Sequence, residues 1–334
     1  GEGGVVTGVT TDKRTLEVDM VLLAVGIRPN TNLAKEAGLE LSPKGNIIVD
    51  DHMRTSDPFI YAGGDCVLSK HALTGKPVWQ PMGSTANRQG RVIADNIAGL
   101  DTPFGGVLGT GILKLFNLTI GKTGLNEAQA AENGFDPVSI LIEGPDRPHF
   151  MPGMGSLSIR LVADRKSRKL LGAQFMGGGV ADKRLDSLVA AITGGMTVDM
   201  LADADFAYAP PFATALDPTT HAANALRNKM DGLVRTYTPK ELTERMQQPD
   251  PPLLLDVRTP AELDLQGRLP YEFVNIPLGK LRERLGELPK DREIVAFCKI
   301  SVRGWDALAA LTAAGFDNFA LLEGGVMAWP YELK

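Results

Sequence analysis

The sequence predicts a multidomain fold that combines α/β and α+β classes. The chain has 334 residues, more than a single hydrophobic core usually organises. Short apolar runs alternate with helical patterns at both ends, as in α/β sheets, whereas the middle is a series of strand-like runs followed by helical periodicity. We therefore expect three domains, at residues 1–104, 105–231 and 236–334.

The composition excludes several classes of function. The chain has 35 basic and 40 acidic residues, so no polybasic surface for nucleic acid or anionic lipid is predicted. No apolar run approaches the roughly 20 residues that cross a bilayer, and no metal site is predicted. Cys66 and Cys298 lie too far apart in sequence to form a disulfide framework, which favours a reducing, cytoplasmic compartment.

The first domain is predicted to contain short strands and one clear helix. The strands are expected at residues 20–25, 46–49 and 59–62, and the helix at residues 84–97. The chain starts on a hairpin pattern without a methionine or a signal pattern. We therefore expect that an N-terminal part of the same polypeptide is missing from this sequence.

The second domain is predicted to be α+β, with helices packed on one side of a set of strands. The expected elements are strands at residues 109–120, 138–143, 156–162 and 169–177 and helices at residues 181–193 and 218–230. The string ADRKSRK between the last two strands reads as a charged, solvated hairpin turn.

The third domain is predicted to be a small parallel α/β sheet. TPKELTERM provides an N-cap threonine, a proline at the first helical position and an amphipathic helix. The expected elements that follow are strands at residues 253–257, 293–298 and 319–325 and helices at residues 278–288 and 303–314, with a polar loop after the first strand.

Cys298 lies where the predicted strand EIVAFC gives way to a helix. Open α/β sheets bind ligands at this edge. The amides of the turn, the positive end of the helix and the charges of Lys299 and Arg303 would stabilise a thiolate and a bound anion. We therefore predict that Cys298 is a nucleophile; the alternative is a cysteine packed as a small apolar residue.

Residues 253–333 resemble a rhodanese-type sulfurtransferase domain. The resemblance is carried by LLLDVRTPAEL, NIPLGKL, CKISVRG and LEGGVMAWP. It implies that Cys298 carries a sulfane sulfur as a persulfide, with Arg303 and Lys299 as anion stabilisers. The residues that it assigns to the substrate-binding loop and its rim are Asp256, Arg258, Ile300, Ser301 and Val302.

The length of this loop separates two chemistries of the superfamily. Members that transfer sulfur have four residues between the cysteine and the arginine, and the related phosphatases have five. Four residues separate Cys298 from Arg303, which favours sulfur over phosphate. The chain has Ser301 where relatives usually have a glycine, so an altered left-handed turn is expected.

TSDPFIYAGGDC is a second motif with chemical content. Gly63 and Gly64 permit close approach of a ligand, and Asp65 can accept hydrogen bonds from hydroxyl groups. With VLLAVGIRPNTNL and PMGSTANRQGRVIADNIAG, it resembles the pyridine nucleotide-disulfide oxidoreductases. The resemblance implies a flavin site in a remnant of FAD/NAD(P)-binding Rossmann-like domains. The residues that it assigns to FAD are Gly64, Asp65, Cys66, Pro81, Ser84, Thr85 and Ala86.

Three further residues keep two interpretations each. Residues 105–231 resemble the dimerisation domain of the same family, and in the coenzyme A disulfide and persulfide reductase subgroup the tyrosine of the YAPPF string reaches the partner's active site. Tyr208 matches it, either as a catalytic group or as an aromatic that fills the interface. Cys66 is structural or redox-active, and His221 is an exposed or capping residue or a catalytic one.

The three segments in this order resemble a coenzyme A disulfide or NADH-dependent persulfide reductase with a fused rhodanese domain. This implies a homodimer that passes hydride from NAD(P)H to FAD and reduces a small disulfide, persulfide or polysulfide, with coenzyme A as a further candidate. GxGxxG fingerprints are absent, so the chain alone is not expected to perform the full reaction. Two alternatives stay open. In one, the rhodanese domain serves only to sense or bind polysulfide; in the other, the chain is a sulfurtransferase on a non-catalytic dimerisation scaffold.

Overall fold

The computed structural model describes residue 1 and residues 3–334. The chain forms two compact units. One comprises Gly1–Lys70 and Pro77–Gly105, and the other comprises His71–Lys76 and Gly106–Lys334. The larger unit holds an antiparallel sheet and a parallel sheet, which confirms the mixed fold class.

The smaller unit has one long helix and little other regular structure. Its elements are β1 (Gly8–Thr10), β2 (Thr15–Glu17), α1 (Asn32–Glu36), β3 (Ser69–Lys70), β4 (Pro77–Val78) and α2 (Gly83–Ile97). The pairs β1–β2 and β3–β4 are antiparallel. Helix α2 confirms the prediction for residues 84–97.

The three strands predicted in this unit are wrong. Residues 20–25 form no strand, and Leu22 and Val25 are almost fully exposed. Ile47 and Tyr61 form only isolated bridges. An extended segment needs a neighbouring strand to pair its backbone groups, and residues 20–25 have no such neighbour within residues 1 and 3–334.

The first part of the larger unit is an antiparallel sheet with helices packed against it. Its elements are β5 (Gly111–Leu115), β6 (Leu118–Gly124), α3 (Glu127–Glu132), β7 (Pro137–Pro145), β8 (Ser156–Asp164), β9 (Leu170–Gly177), α4 (Asp182–Thr193), α5 (Val198–Ala202) and α6 (Pro218–Met230). The strand order is β5-β6-β9-β8-β7. Buried side chains such as Leu161, Phe175, Leu188 and Leu226 join the sheet to α4 and α6.

Two predictions for this part need correction. The single strand expected at residues 109–120 is a hairpin, because the chain reverses at Phe116, where φ is 53°. The turn ADRKSRK does join β8 to β9, but Arg168 is not simply solvated, since it bonds to Asp199 and Asp231. The other predicted strands and both helices are confirmed.

The second part of the larger unit is a parallel sheet with helices on both faces. Its elements are β10 (Thr236–Tyr237), α7 (Pro239–Arg245), β11 (Leu253–Asp256), α8 (Pro260–Gln266), β12 (Phe273–Asn275), α9 (Leu278–Arg284), β13 (Ile294–Phe297), α10 (Val302–Ala313) and β14 (Phe319–Leu322). The strand order is β10-β14-β13-β11-β12. Thr238 caps α7 as predicted, whereas α8 and β12 replace the polar loop that was expected.

The central strand β13 places Cys298 at the edge of this sheet. Ile294 and Ala296 pack into a core with α9 and α10, and Val295 and Phe297 pack into the core on the other face. Cys298 continues the first face, as the two-residue repeat of a strand requires. The thiol therefore lies on the side of the sheet that α10 covers.

The described residues include no helix that is both long enough and apolar enough to span a membrane.

Candidate active site

The candidate active site is the loop that joins β13 to α10. Cys298 is 1% exposed and follows β13 directly. The carbonyl groups of Cys298 and Lys299 accept hydrogen bonds from the amides of Val326 and Met327, each at 3.0 Å. These bonds fix the start of the loop against the segment that follows β14.

The amides of the loop are placed to bind an anion. In the part of the chain that the structure describes, no backbone carbonyl accepts a hydrogen bond from the amides of Lys299, Ile300 or Ser301. Donors of this kind, next to the N-terminus of α10, stabilise a negatively charged sulfur.

Two glycines allow the surrounding backbone to approach this loop. A β-carbon on Gly325 would lie 2.4 Å from the Cys298 carbonyl oxygen and 2.6 Å from that of Lys299. A β-carbon on Gly304 would lie 2.6 Å from Leu321 Cδ1. Gly325 is therefore required by backbone packing and by its left-handed φ of 62°, whereas Gly304 is crowded mainly by a side chain.

Ser301 adopts the left-handed turn for which a glycine was expected. Its φ is 68°, so the altered turn expected from the missing glycine is not found. Its buried hydroxyl group donates a hydrogen bond to the Leu322 carbonyl oxygen. That bond, typically about 1 kcal/mol, offsets much of the roughly 1–2 kcal/mol cost of a left-handed residue with a β-carbon.

Arg303 is held by Glu262, a residue that the sequence analysis missed. Its Nη1 and Nη2 atoms donate to the Glu262 carboxylate at 2.8 Å and 2.6 Å. These bonds hold the pKa of Glu262 at about 2. The pKa of Arg303 is raised, first by Glu262 and further by Cys298. Glu262 also completes a capping box with Thr259, and the string TPAE carries that signature in the sequence.

The other predicted loop residues differ widely in exposure. Lys299 is exposed and forms no ion pair with another described residue. Val302 is 60% exposed and Ile300 is half-buried. Arg303 is thus the cation that the fold fixes beside Cys298, and Lys299 is an exposed charge at the surface.

Asp256 and Arg258 lie inside the protein. Both are 0% exposed, and Arg258 Nη2 donates to the Asp256 carboxylate at 2.7 Å. Arg258 also donates to the side chain of Gln266 and the carbonyl of Gly267. The pair therefore does not line an open rim as predicted, because a substrate cannot reach it; it holds the segment between β11 and the end of α8.

The glycines of the predicted flavin motif pack against α2 in the smaller unit. The amide of Gly64, whose φ is 86°, donates to Gln89 Oε1 at 2.7 Å. Gln89 is fully buried and also donates to Ser69 Oγ at 2.9 Å. A β-carbon on Gly63 would lie 2.9 Å from Ile93 Cδ1. Gln89 was missed, although it lies within the helix predicted at residues 84–97.

The residues assigned to FAD lie around this contact. Asp65 is exposed and its carbonyl oxygen accepts a hydrogen bond from Trp79. Thr85 is buried, whereas Ser84 is exposed, and Ala86 lies beside Gly64. Pro81 is half-buried just before α2. An exposed carboxylate beside an open glycine turn and the start of a helix fits a chain of hydroxyl groups such as that of FAD.

Cys66 has surroundings that favour the protonated thiol. Its Sγ atom donates to the Gly63 carbonyl oxygen at 3.4 Å. Burial raises the pKa of Cys66, and the negative charge of Asp65 adds to the increase.

His221 lines a cavity together with Ile300, Ser301 and Val302 of the cysteine loop, whereas Tyr208 does not line that cavity. Tyr208 is 53% exposed in the irregular segment between α5 and α6. His221 is an exposed residue in the first turns of α6, and the cap of that helix is Asp217. The interpretation of His221 as an exposed or capping residue is therefore confirmed for its exposure, and Asp217 takes the capping role.

Three segments of the chain match known protein families. Residues 1–90 match the pyridine nucleotide-disulphide oxidoreductases, and residues 112–219 match the dimerisation domain of that family. Residues 238–331 match the rhodanese-like domain.

Individual proteins are similar to much of this chain. A protein of Pyrococcus furiosus named NAD(P)H sulfur oxidoreductase (CoA-dependent) is 41% identical over 219 residues, which are 66% of this chain and 49% of that protein. The structure of a NAD-dependent persulfide reductase from A. fulgidus is 42% identical, with a TM-score of 0.87 over 95% of this chain and 57% of that one. The structure of reduced Bacillus anthracis CoADR-RHD is 35% identical, with a TM-score of 0.89 over 97% of this chain and 57% of that one. The chain spans about half the length of the curated relatives that it matches.

Proposed function

We propose that the chain is the sulfur-transferring part of a flavoprotein reductase. The premise is that residues 1–90 and 112–219 belong to the pyridine nucleotide-disulphide oxidoreductase family and residues 238–331 to the rhodanese-like family. The substrates are a persulfide, a polysulfide or a coenzyme A disulfide. The observation that carries the proposal is Cys298, which lies at the start of an amide-lined loop beside a fixed arginine.

Sulfur transfer at Cys298 requires two displacements. The Cys298 thiolate attacks the outer sulfur of a donor persulfide, a sulfur–sulfur bond forms on Cys298, and the donor leaves as a thiolate. An acceptor thiolate then attacks that outer sulfur, takes it as a new persulfide and restores the Cys298 thiolate. The loop amides and Arg303 stabilise the negative sulfur in both states. Lys299 adds positive charge at the entrance.

The smaller unit would hold the flavin. Gly64, Asp65, Cys66 and the start of α2 with Pro81, Ser84, Thr85 and Ala86 would bind FAD, with Asp65 accepting hydrogen bonds from its hydroxyl groups. Bound FAD would supply the transfer of reducing equivalents from NAD(P)H to a disulfide or persulfide.

The assembly proposed is a homodimer in a reducing, cytoplasmic compartment. The dimerisation segment at residues 112–219 favours a homodimer, and the exposed Tyr208 is proposed to reach the partner subunit. The presence of only two cysteines, both free, favours a reducing compartment.

Mass spectrometry after incubation with thiosulfate or a small persulfide tests the sulfur-transfer step. We expect the mass of one sulfur atom on the peptide that carries Cys298. The Cys66→Ser chain should gain the same mass and the Cys298→Ser chain should not. Sulfur that remains in the Cys298→Ser chain, or that never appears in the unaltered chain, would contradict the proposal.

The visible spectrum of the purified chain separates this proposal from its alternative. Flavin absorbance is expected if the smaller unit binds FAD. Sulfur on Cys298 in a preparation without flavin, even after FAD is added, would instead favour a sulfurtransferase on a dimerisation scaffold.

A further inference from the structure

A cavity lies between the antiparallel sheet and the parallel-sheet domain of the larger unit. Its volume is about 340 Å³, within the range of small-molecule sites. The walls come from β7, from α6 and from residues 300–302 at the start of α10. The cavity adjoins the proposed sulfur-transfer loop, but neither Cys298 nor Arg303 lines it.

The walls of this cavity are mainly apolar. Apolar side chains reach it from every side, among them Ile142 of β7, Ala225 of α6 and Trp305 of α10. The titratable residues that line it are Glu143, His221 and Glu323. A ligand therefore needs an apolar body and can meet a charge only at these positions.

Glu323 does not need a cationic ligand, because its negative charge is already compensated within the protein. It is 1% exposed and accepts hydrogen bonds from Lys229 Nζ at 2.8 Å, Thr236 Oγ1 at 2.6 Å and the Leu141 amide at 2.9 Å. A buried carboxylate that is paired and fully hydrogen-bonded is stable without a further partner.

Glu143 differs from Glu323 because it has no cation. It is 6% exposed, and its partners are two neutral hydroxyl groups, those of Ser156 at 3.1 Å and Ser158. No basic side chain in the described part of the chain forms an ion pair with it. Burial raises the pKa of Glu143. An unpaired carboxylate of this kind is costly to ionise, and a cation in the cavity would remove that cost.

The remaining polar and aromatic walls suit a positively charged nitrogen. Partial burial lowers the pKa of His221, which favours the uncharged imidazole, a form that can accept a hydrogen bond. The indole of Trp305 can attract a cation to its ring. No lysine or arginine among the described residues lines the cavity to compete for Glu143.

We propose that this cavity binds a small organic cation, with an apolar body and one protonated nitrogen that pairs with Glu143. The carboxylate selects the charge, and the apolar walls hold the body. The proposal does not depend on the proposed sulfur transfer, because binding needs none of the groups of that reaction.

Calorimetric titration of the full chain tests the charge selection. The probes are 2-phenylethylammonium, the uncharged 2-phenylethanol and the anion phenylacetate. We expect the ammonium to bind about tenfold more tightly than the alcohol, as a hydrogen-bonded charge pair allows, and the anion not to bind. Equal affinities for the ammonium and the alcohol would overturn the proposal.

Two matched variants assign the selection to Glu143. Glu143→Gln keeps the shape of the side chain and can still bond to both serines, so we expect the preference for the ammonium to disappear. Glu132→Gln removes an exposed carboxylate of α3 outside the cavity and should leave the preference unchanged. A preference that survives in Glu143→Gln would also overturn the proposal.

The position of the probe is tested separately. Ala225→Leu fills part of the cavity and should weaken the binding of both the ammonium and the alcohol, with thermal unfolding as the check that the variant folds. In the unaltered chain the indole N–H resonance of Trp305, assigned with Trp305→Phe, should shift as the ammonium saturates. An indole resonance that does not move would contradict binding at this place.

Discussion

Cys66 is half-buried and Cys298 is fully buried, and the two thiols have different partners around them. At Cys66, burial and Asp65 raise the pKa, and the thiol donates to a carbonyl oxygen. At Cys298, amide donors follow in the loop and Arg303 is fixed nearby. Burial alone makes a cysteine inert, and a buried cysteine becomes a candidate nucleophile only where donors and a cation compensate its charge.

The backbone around the two cysteines differs as well. Gly325 presses on the carbonyl oxygens of Cys298 and Lys299, with no space for a β-carbon. Gly64 beside Cys66 has its nearest obstacle, Ala86 Cβ, at an ordinary contact distance of 3.5 Å from a built β-carbon. The cysteine loop of the parallel-sheet domain is therefore fixed by close packing at Gly325, and the turn of the smaller unit has space at Gly64.

Alanine at these two glycines should have very different effects. Both residues have a left-handed φ, 62° at Gly325 and 86° at Gly64, so each substitution carries about 1–2 kcal/mol of backbone strain. Gly325→Ala adds a collision with two carbonyl oxygens that cannot move freely, and we expect a total loss of about 3 kcal/mol or more. Chemical unfolding followed by the fluorescence of Trp305 and Trp329 measures the loss, and the sulfur carried by Cys298 should fall with it.

Gly64→Ala serves as the control for the left-handed conformation. The free energy of unfolding of the Gly64→Ala chain should fall by no more than the backbone strain. The amount of sulfur carried by Cys298 should stay unchanged. Equal losses in the two variants would show that the loop of Cys298 is not packed as closely as the structure indicates.

The ion pair of Arg303 gives the second prediction. Glu262→Gln removes the charge that orients the guanidinium, and we expect the rate of sulfur transfer to fall about tenfold, since a mispositioned cation stabilises the reacting sulfur less well. Glu283→Gln breaks the exposed pair with Lys280 and should leave the rate unchanged. Similar rates of sulfur transfer in the two variants would show that Glu262 does not contribute to the site.

The same pair predicts how stability depends on pH. The pKa of Glu262 is about 2 in the folded chain, against an ordinary value of 4.5. A lowered carboxyl pKa stabilises the fold fully above pH 4.5, and this contribution is lost as the pH falls towards 2. The difference in unfolding midpoint between the unaltered chain and Glu262→Gln should therefore shrink over this interval. A difference in unfolding midpoint that stays constant over this interval would contradict the lowered pKa of Glu262.

The secondary structure of the parallel-sheet domain was predicted better than that of the smaller unit. In the parallel-sheet domain each apolar run has its partner strands within the chain, so the pattern of EIVAFC predicted β13 and the position of Cys298. Residues 20–25 have a similar pattern but no neighbouring strand in the described chain, and the predicted strand is wrong. The spacing of apolar residues indicates a preference for a strand, but a strand forms only where a neighbouring strand can pair with it.

Side-chain partners were predicted less well than elements. Arg258 was expected at a rim but is fully buried against Asp256. Glu262 and Gln89 were missed because each is joined to its partner by the fold: Glu262 lies 41 positions from Arg303, and Gln89 lies 25 positions from Gly64. A linear pattern shows which residues carry charge or an amide group, but not which distant group they meet.

The smallest predicted effect concerns the reactivity of Cys66. In a Cys298→Ser chain only Cys66 can be alkylated, and its pKa is raised above the ordinary 9.0. Because the thiolate is the reacting form, we expect the rate of alkylation by iodoacetamide to reach its midpoint at a higher pH in the folded chain than in the same chain unfolded in urea. Mass spectrometry over a series of pH values measures both midpoints. A folded midpoint at or below the unfolded one would mean that the surroundings of Cys66 favour the thiolate after all, and the contrast with Cys298 would then rest on packing alone.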